Sequence, residues 1–380
     1  MHLLSVSVFG TSTKEDEKRV PIHPSHLEWI DKEIRKKLTF ENGYGEPFGL
    51  SDNELSKWVS LAPREELFHC SDIILLPKPG QKDIDAIPEG GILWGWAHCV
   101  QQFEITQSAI DRKLTFITWE GMHRWSEHGD WQMHIFNKNN EIAGYAATLQ
   151  AFSLVGINGT YGRPMKAIVL SFGSVSRGAI HALQGLGIND ITIFTQRYST
   201  LVTDQIAGIN YRHFEANKSG QLLAFSEDGH STCPFIEALS EADVLVNGIL
   251  QDTNQPLMFV RQNEINKLKN GCLIIDVSCD EGMGFEFAKP TSFKNPMFSV
   301  GKINYYAVDH TPSYLWNSAS WEISNSLLPY LPLVMEGRDR WKKSKTLDHA
   351  IEIWDGVVLN ANVLSFQNRK SEYPHEVISS

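Results

Sequence analysis

The stretch that decides the fold is Ala167-Ile168-Val169-Leu170-Ser171-Phe172-Gly173-Ser174-Val175-Ser176-Arg177-Gly178. A short apolar run precedes a turn of small residues. After the turn, Ala179 to Leu186 has helical patterning and stops at Gly187, and Ile191-Thr192-Ile193-Phe194 is a second apolar run. Strand, glycine turn, helix and strand make one βαβ unit. Such a turn can offer backbone N–H groups at a helix N-terminus to a pyrophosphate, with small residues keeping side chains out of the way. Gly173 holds the middle place of a GxGxxG/A pattern whose first and third places carry Ser171 and Ser176. Ser171, Gly173, Ser174, Val175 and Ser176 are therefore the expected phosphate-turn residues.

The end of the second strand bears on which dinucleotide is bound. An acidic residue there accepts a hydrogen bond from the adenosine ribose 2′-OH and repels a 2′-phosphate. This chain has Phe194-Thr195-Gln196-Arg197-Tyr198-Ser199-Thr200, with no acid. Thr195, Arg197 and Ser199 suit a dianion, which favours NADP(H) over NAD(H).

Further out, short apolar runs alternate with helical patterns: Asp72 to Leu76, Leu114 to Thr118, Val244 to Asn247 and Leu273 to Val277. This rhythm predicts an α/β protein of two Rossmann-like domains with parallel sheets and an active-site cleft between them. Ile142 to Val155 reads as a long helix entering the middle domain, and Trp316 to Val334 as a second one leaving it. The expected division is residues 1–143 plus 305–380 as a discontinuous substrate and catalytic domain, with 144–304 as the dinucleotide-binding domain. Met122 to Glu141, rich in His and Trp, reads as a hairpin excursion. Its histidines lack HExxH spacing and a carboxylate partner, so no metal is expected.

The 380 residues carry 34 Lys+Arg against 45 Asp+Glu, a formal charge of −11, which argues against a nucleic-acid partner. Apolar runs of four to six residues are far short of the roughly 18 that cross a bilayer. Met1 to Gly10 lacks a basic leader and runs into Lys14-Glu15-Asp16-Glu17-Lys18-Arg19, so a cytoplasmic protein is expected. Cys70, Cys99, Cys233, Cys272 and Cys279 are widely spaced and read as free thiols.

Two residues of the first domain follow buried-type strands. Lys78 sits in Leu76-Pro77-Lys78-Pro79, and His98 in Trp94-Gly95-Trp96-Ala97-His98. Ligand sites in open α/β sheets lie beyond the carboxyl ends of strands, so both are candidates for acid/base work in one crevice. Arg19, in Lys18-Arg19-Val20-Pro21, is a candidate bidentate clamp for a substrate carboxylate. Trp94, Trp96, Trp119, Trp125 and Trp131 read as core, with one or two available to wall a pocket.

These motifs resemble the alanine dehydrogenase, transhydrogenase N-terminal and lysine-forming saccharopine dehydrogenase superfamily, over nearly the whole chain. Lys18-Arg19-Val20-Pro21 with Pro24 resembles its opening motif, whose arginine holds the substrate carboxylate. Lys78 and His98 fall at its catalytic lysine and histidine. Ile275-Asp276-Val277-Ser278-Cys279-Asp280-Glu281-Gly282 resembles the alanine dehydrogenase stretch whose second aspartate, here Asp280, lies beside the nicotinamide. Trp96-Ala97-His98-Cys99 and Val308-Asp309-His310-Thr311-Pro312-Ser313 are more similar to saccharopine dehydrogenase, and Glu120 matches an acid of its site. Asp309 is carried as a substrate-binding candidate. The phosphate turn, Gly301-Lys302 before Tyr305-Tyr306, Thr311-Pro312-Ser313 and the missing acid look most like N5-(carboxyethyl)ornithine synthase, an NADPH-linked member. Ser171 in place of glycine, and Pro79 where saccharopine dehydrogenase carries an acid, are departures.

The resemblance implies an enzyme that condenses a 2-oxo acid with the amine of an amino acid and reduces the imine with NADP(H), or runs the reverse. Saccharopine dehydrogenase, alanine dehydrogenase and a catalytically silent nucleotide-binding protein stand as alternatives. It also implies no metal, small-molecule substrates, and a monomer or homodimer.

Overall fold

The computed structural model describes residues 3–251 and 255–378, so Met1 and His2 of the opening stretch lie outside the described residues. The chain divides into two units, Met1–Asn137 with Trp316–Ser380, and Lys138–Leu315.

The first unit is built on an eight-stranded sheet. In spatial order it runs Val357–Val358, Ile351–Trp354, Thr115–Thr118, Ile92–Gly95, Ile73–Leu75, Val6–Val8, Leu38–Glu41 and Ser60–Ala62. The six strands from Thr115–Thr118 to Ser60–Ala62 are parallel, and the two C-terminal strands pair antiparallel at one edge. The Val6–Val8, Ile73–Leu75, Ile92–Gly95 and Thr115–Thr118 strands are buried throughout, as the apolar runs of a sheet covered on both faces should be. Strand order reverses between Val6–Val8 and Ile73–Leu75, so the carboxyl ends of these two strands flank the crevice where such sheets take ligands.

The second unit has a nine-stranded sheet with Asp190–Thr195, Lys166–Leu170, Val244–Asn247, Leu273–Asp276 and Ile303–Tyr306 adjacent and parallel at its centre. Its order reverses between Lys166–Leu170 and Val244–Asn247, beside the turn at residues 171–178. The helix after that turn, Ser174–Gly185, lies against the long helix Asn137–Val155 at a spacing only glycine permits. A Cβ on Gly178 would stand 1.7 Å from the Glu141 carbonyl oxygen, and one on Gly144 would stand 1.9 Å from that of Val175.

The long helix at residue 316 is shorter than its apolar pattern suggests. It runs Trp316–Leu327, and a second helix, Leu331–Met335, begins after a break. Pro329 and Pro332 explain the break: each lacks the N–H that would continue the hydrogen-bond ladder, and Pro332 sits in the first turn of the second helix, where a missing N–H is tolerated. The unit boundaries fall at 137/138 and 315/316, against 143/144 and 304/305 from the sequence pattern. The Thr311 hydroxyl bonds the Ala143 carbonyl, tying the segment before Trp316 to the second unit. The Met122–Glu141 segment does form a hairpin, His123–Trp125 with Trp131–His134. Trp94 and Trp119 are wholly buried and Trp96 nearly so, Trp125 stacks on His349, and Trp131 is exposed. Among the described residues no helix is long and apolar enough to cross a membrane.

Candidate active site

In the first unit the sequence-predicted groups come together at the carboxyl ends of adjacent strands. Lys78 follows Ile73–Leu75, His98 follows Ile92–Gly95, and Glu120 follows Thr115–Thr118. The first two loops are in close contact: the Trp96 N–H bonds the Pro77 carbonyl at 2.8 Å. A Cβ on Gly95 would stand 1.9 Å from the Leu76 oxygen, so no larger residue fits there. Lys78 is buried, and its carbonyl accepts from the Ser12 hydroxyl. Asp83 braces the same loop by accepting from the Gly80 and Thr13 N–H groups at 2.9 Å each, and Arg64 pairs with both Asp83 and Glu41.

His98 sits at φ 49°, a left-handed conformation unusual for a residue with a side chain. Its N–H donates to Glu120 Oε1 at 2.7 Å, and its ring Nδ1 is 3.1 Å from the same oxygen. The Glu120 side chain keeps 26% of its surface exposed, yet its Oε2 is buried and has no hydrogen-bond partner among the described residues. Burial, and then the negative charge of Glu352, push the Glu120 carboxyl up to about 8, against the pull of its hydrogen bonds and of Lys78.

Arg19 is buried with its guanidinium 4.7 Å from the centre of the Trp96 ring, beside the His98 loop. Glu17 takes its Nε (2.8 Å) and Nη2, and also accepts from its backbone N–H. The arginine thus reaches the site oriented by a carboxylate two residues away.

The second unit carries the expected cofactor residues. Ser171 has φ 79°, the left-handed geometry for which a dinucleotide turn ordinarily uses glycine. Gly173, by contrast, has an ordinary negative φ, and a Cβ there would meet only Ser171 Oγ at 3.8 Å. What its hydrogen provides is open space where a phosphate would approach. Ser174 and Val175 open the helix, whose first turn has no side-chain cap. Ser176 is wholly buried and donates to the Leu170 carbonyl, closing the turn from inside. This cradle of uncapped N–H groups fits a pyrophosphate. At the next strand end the Thr195 hydroxyl accepts from the Arg197 N–H; Arg197 is exposed, and Ser199, half-buried, opens the short 3-10 helix Ser199–Leu201.

Asp280 and Asp309 lie near one another in this unit. Burial, and then the charge of Asp309, raise the Asp280 carboxyl above the usual carboxylate range. Beneath Asp280 lies a group the sequence reading passed over. Asp276, fully buried, accepts from Asn247 Nδ2 (2.9 Å), the Tyr305 hydroxyl (2.5 Å) and the Cys279 N–H (3.2 Å), and burial pushes it up to about 6. It fixes Cys279, at φ 46°, and so the turn that presents Asp280. Glu17, Glu352 and Tyr198, whose ring stacks on His213 at 4.2 Å, were also missed. The E-x-R spacing of Glu17 and Arg19 carried a faint signal; the others depend on which strands are neighbours.

The alanine dehydrogenase/PNT N-terminal domain model matches residues 11–143, and its C-terminal domain model matches residues 142–361. The chain belongs to the alanine dehydrogenase/PNT family. It is an NAD(P)-dependent oxidoreductase acting at the C–N bond of an amino acid, with small-molecule substrates. Among curated relatives, N(5)-(carboxyethyl)ornithine synthase of Clostridium botulinum is 28% identical over 322 residues, covering 82% of this chain and 89% of its own length. Alanine dehydrogenase of Mycobacterium tuberculosis is 22% identical over 369 residues, covering 93% and 94%. In fold, a solved L-alanine dehydrogenase superposes with TM-score 0.75 at 19% identity over 95% of this chain and 98% of its own. The transhydrogenase of Sinorhizobium meliloti gives TM-score 0.69 at 17% identity over 93% and 98%. The saccharopine dehydrogenase part of the sequence resemblance gains no support from these matches.

Proposed function

We propose that this family member is an NADPH-dependent opine-type dehydrogenase that joins the amine of an amino acid to a 2-oxo acid, and that it also catalyses the reverse cleavage. The observation that carries the reading is the grouping of Lys78, His98 and Glu120 on consecutive strand ends with Arg19 against Trp96. Arg19, oriented by Glu17, holds the 2-oxo acid carboxylate. The amine attacks the carbonyl carbon, the oxygen leaves as water, and a C=N bond remains. Lys78 and His98 deliver and remove the protons of these steps, and Glu120 orients His98. The bound nicotinamide, when reduced, supplies the hydride that turns the C=N carbon into a C–H centre. Asp280 lies at the nicotinamide end, with Asp309 as the second acid on the substrate side. Ser171, Gly173, Ser174, Val175 and Ser176 hold the pyrophosphate, and Thr195, Arg197 and Ser199 hold the 2′-phosphate.

The 28% likeness to an N(5)-(carboxyethyl)ornithine synthase supports an amino-acid amine over ammonia. Alanine dehydrogenases matched over more than nine-tenths of both chains keep an ammonia-using enzyme as the second reading. The test is nicotinamide oxidation with pyruvate or 2-oxoglutarate, paired in turn with ammonia, ornithine and lysine, using NADPH and NADH. Turnover that requires an amino acid supports the proposal, and turnover with ammonia alone favours the second reading.

A further inference from the structure

The loops after the Val6–Val8 and Ile73–Leu75 strands stand where the order of the first sheet reverses. In a crevice of that kind backbone N–H groups ordinarily face a ligand. Here carboxylates of the chain itself take them. Glu41, at the end of the Leu38–Glu41 strand, accepts from the Gly10 N–H (2.8 Å), the Thr11 N–H (2.9 Å) and the Thr11 hydroxyl (2.5 Å). Asp83 accepts from the Thr13 N–H (2.9 Å) and hydroxyl (2.8 Å) in the first loop and from the Gly80 N–H (2.9 Å) in the second. The two loops touch: a Cβ on Gly80 would stand 2.4 Å from Thr13 Oγ1 and 3.0 Å from the Thr13 carbonyl carbon. Ser12, in the first loop, donates its hydroxyl to the carbonyl of Lys78 in the second.

Arg64 spans these groups. Its Nη2 donates to Asp83 Oδ1 at 2.5 Å, and its Nη1 donates to the Thr11 carbonyl (2.6 Å), the Thr11 hydroxyl (2.7 Å) and Glu41 Oε2 (3.3 Å). The guanidinium lies beside the rings of Phe9 and Phe68, 5.0 and 5.7 Å from their centres. Glu41 and Asp83 are both buried, and a buried carboxylate that loses its cation is left with an uncompensated charge. From this geometry we infer that Arg64 is a positioning residue for Lys78. By pairing with Glu41 and Asp83 at once it clamps the two loops together, and so fixes the backbone from which the Lys78 side chain projects. A lysine in its place could not do the same, because only a planar guanidinium donates along two edges at a time. The inference rests on the proposed function for the catalytic meaning of Lys78, whereas the clamp stands on these contacts alone.

The test reads Lys78 itself in the full-length protein, as the rate at which acetic anhydride acetylates its amine. Peptide mass spectrometry measures that rate against the exposed Lys36. Lys78 is buried and should label slowly in the wild type. Arg64→Ala should speed it by at least roughly fivefold, because the loop then opens locally. Millimolar guanidinium ion, which fits the place beside Phe9 and Phe68, should restore the slow rate where sodium chloride does not. Ser12→Ala, which removes the bond to the Lys78 carbonyl, should act in the same direction by less, and it decides the matter if Arg64→Ala fails to fold. Arg338→Ala breaks an exposed ion pair with Asp355 at the amino end of the Thr115–Thr118 strand and should leave the Lys78 rate alone. With NADPH, pyruvate and either ornithine or ammonia, Arg64→Lys should lower kcat about tenfold with the nucleotide KM unchanged, as misplacement of a reacting group does. An unchanged Lys78 rate in the folded variants, a rise shared by Lys166 of the second unit, or full kcat in Arg64→Lys would overturn the inference. Full turnover in Lys78→Met would instead defeat the catalytic reading of Lys78 and leave the clamp to be judged by the acetylation rates.

Discussion

A single oxygen of Glu120, Oε1, lies 2.7 Å from the backbone nitrogen of His98 and 3.1 Å from its ring Nδ1. One carboxyl therefore holds both the left-handed backbone at His98, which costs about 1–3 kcal/mol, and the ring that projects from it. Glutamine at position 120 keeps an acceptor but loses the titration, so Glu120→Gln separates positioning from charge.

Lys78→Met and His98→Gln should each lower turnover by at least roughly tenfold, a typical loss for a removed acid/base group, with nucleotide affinity unchanged. Steady-state kinetics with nucleotide binding by fluorescence would check this. Unchanged turnover in either variant removes that residue from the mechanism.

Arg19→Lys should raise KM for the 2-oxo acid roughly tenfold and leave nucleotide affinity alone, because an ammonium cannot reproduce the two-point contact of a guanidinium. Glu17→Gln should move KM in the same direction by less, since Glu17 acts only by orienting Arg19. A KM unaltered in both would take the clamp away from Arg19.

Arg197→Asp should shift preference from NADPH toward NADH by roughly tenfold or more, by replacing attraction to the 2′-phosphate with repulsion. The ratio of kcat/KM for the two nucleotides reads it directly, and an unaltered ratio would sink the 2′-phosphate assignment.

Much of the second unit was legible in the sequence because its signals are local. The βαβ period, the turn residues and the strand end without an acid all lie within one stretch from Ala167 to Thr200. The candidate residues of the first unit were legible as strand ends, but their neighbours were not. Glu352 is 232 positions from Glu120, and its strand comes beside Thr115–Thr118 only by antiparallel pairing next to the sheet edge, which no period in the sequence announces. Asp276 reads as the polar end of an apolar run, and only the adjacency of the Val244–Asn247 and Ile303–Tyr306 strands reveals Asn247 and Tyr305 as its partners. The second long helix was overread because apolar spacing outweighed two prolines.

Ser171→Gly should stabilise the protein by about 1 kcal/mol, since a serine at φ 79° bears a conformational cost that glycine does not. Nucleotide affinity should hold or improve. Denaturant midpoints would show it, and a destabilised variant would mean that the serine hydroxyl is needed in the turn.

The pH dependence of stability has a definite sign at Glu120. Its folded pKa of about 8 exceeds the 4.5 of an ordinary glutamate, so folding takes up a proton between these limits. The stability this group contributes is fully present below about 4.5 and is lost as pH rises through about 8. Glu120→Gln should abolish that part of the decline. Parallel stability–pH curves for wild type and variant, from unfolding titrations between these limits, would contradict it.

The central claim is that the amine comes from an amino acid and stays in the product. Incubation with NADPH, pyruvate, unlabelled ammonia and nitrogen-labelled ornithine, followed by mass analysis, tests it most directly. The account predicts a secondary amine that carries both carbon skeletons and the label. Formation of alanine from ammonia, with ornithine left untouched, would contradict it.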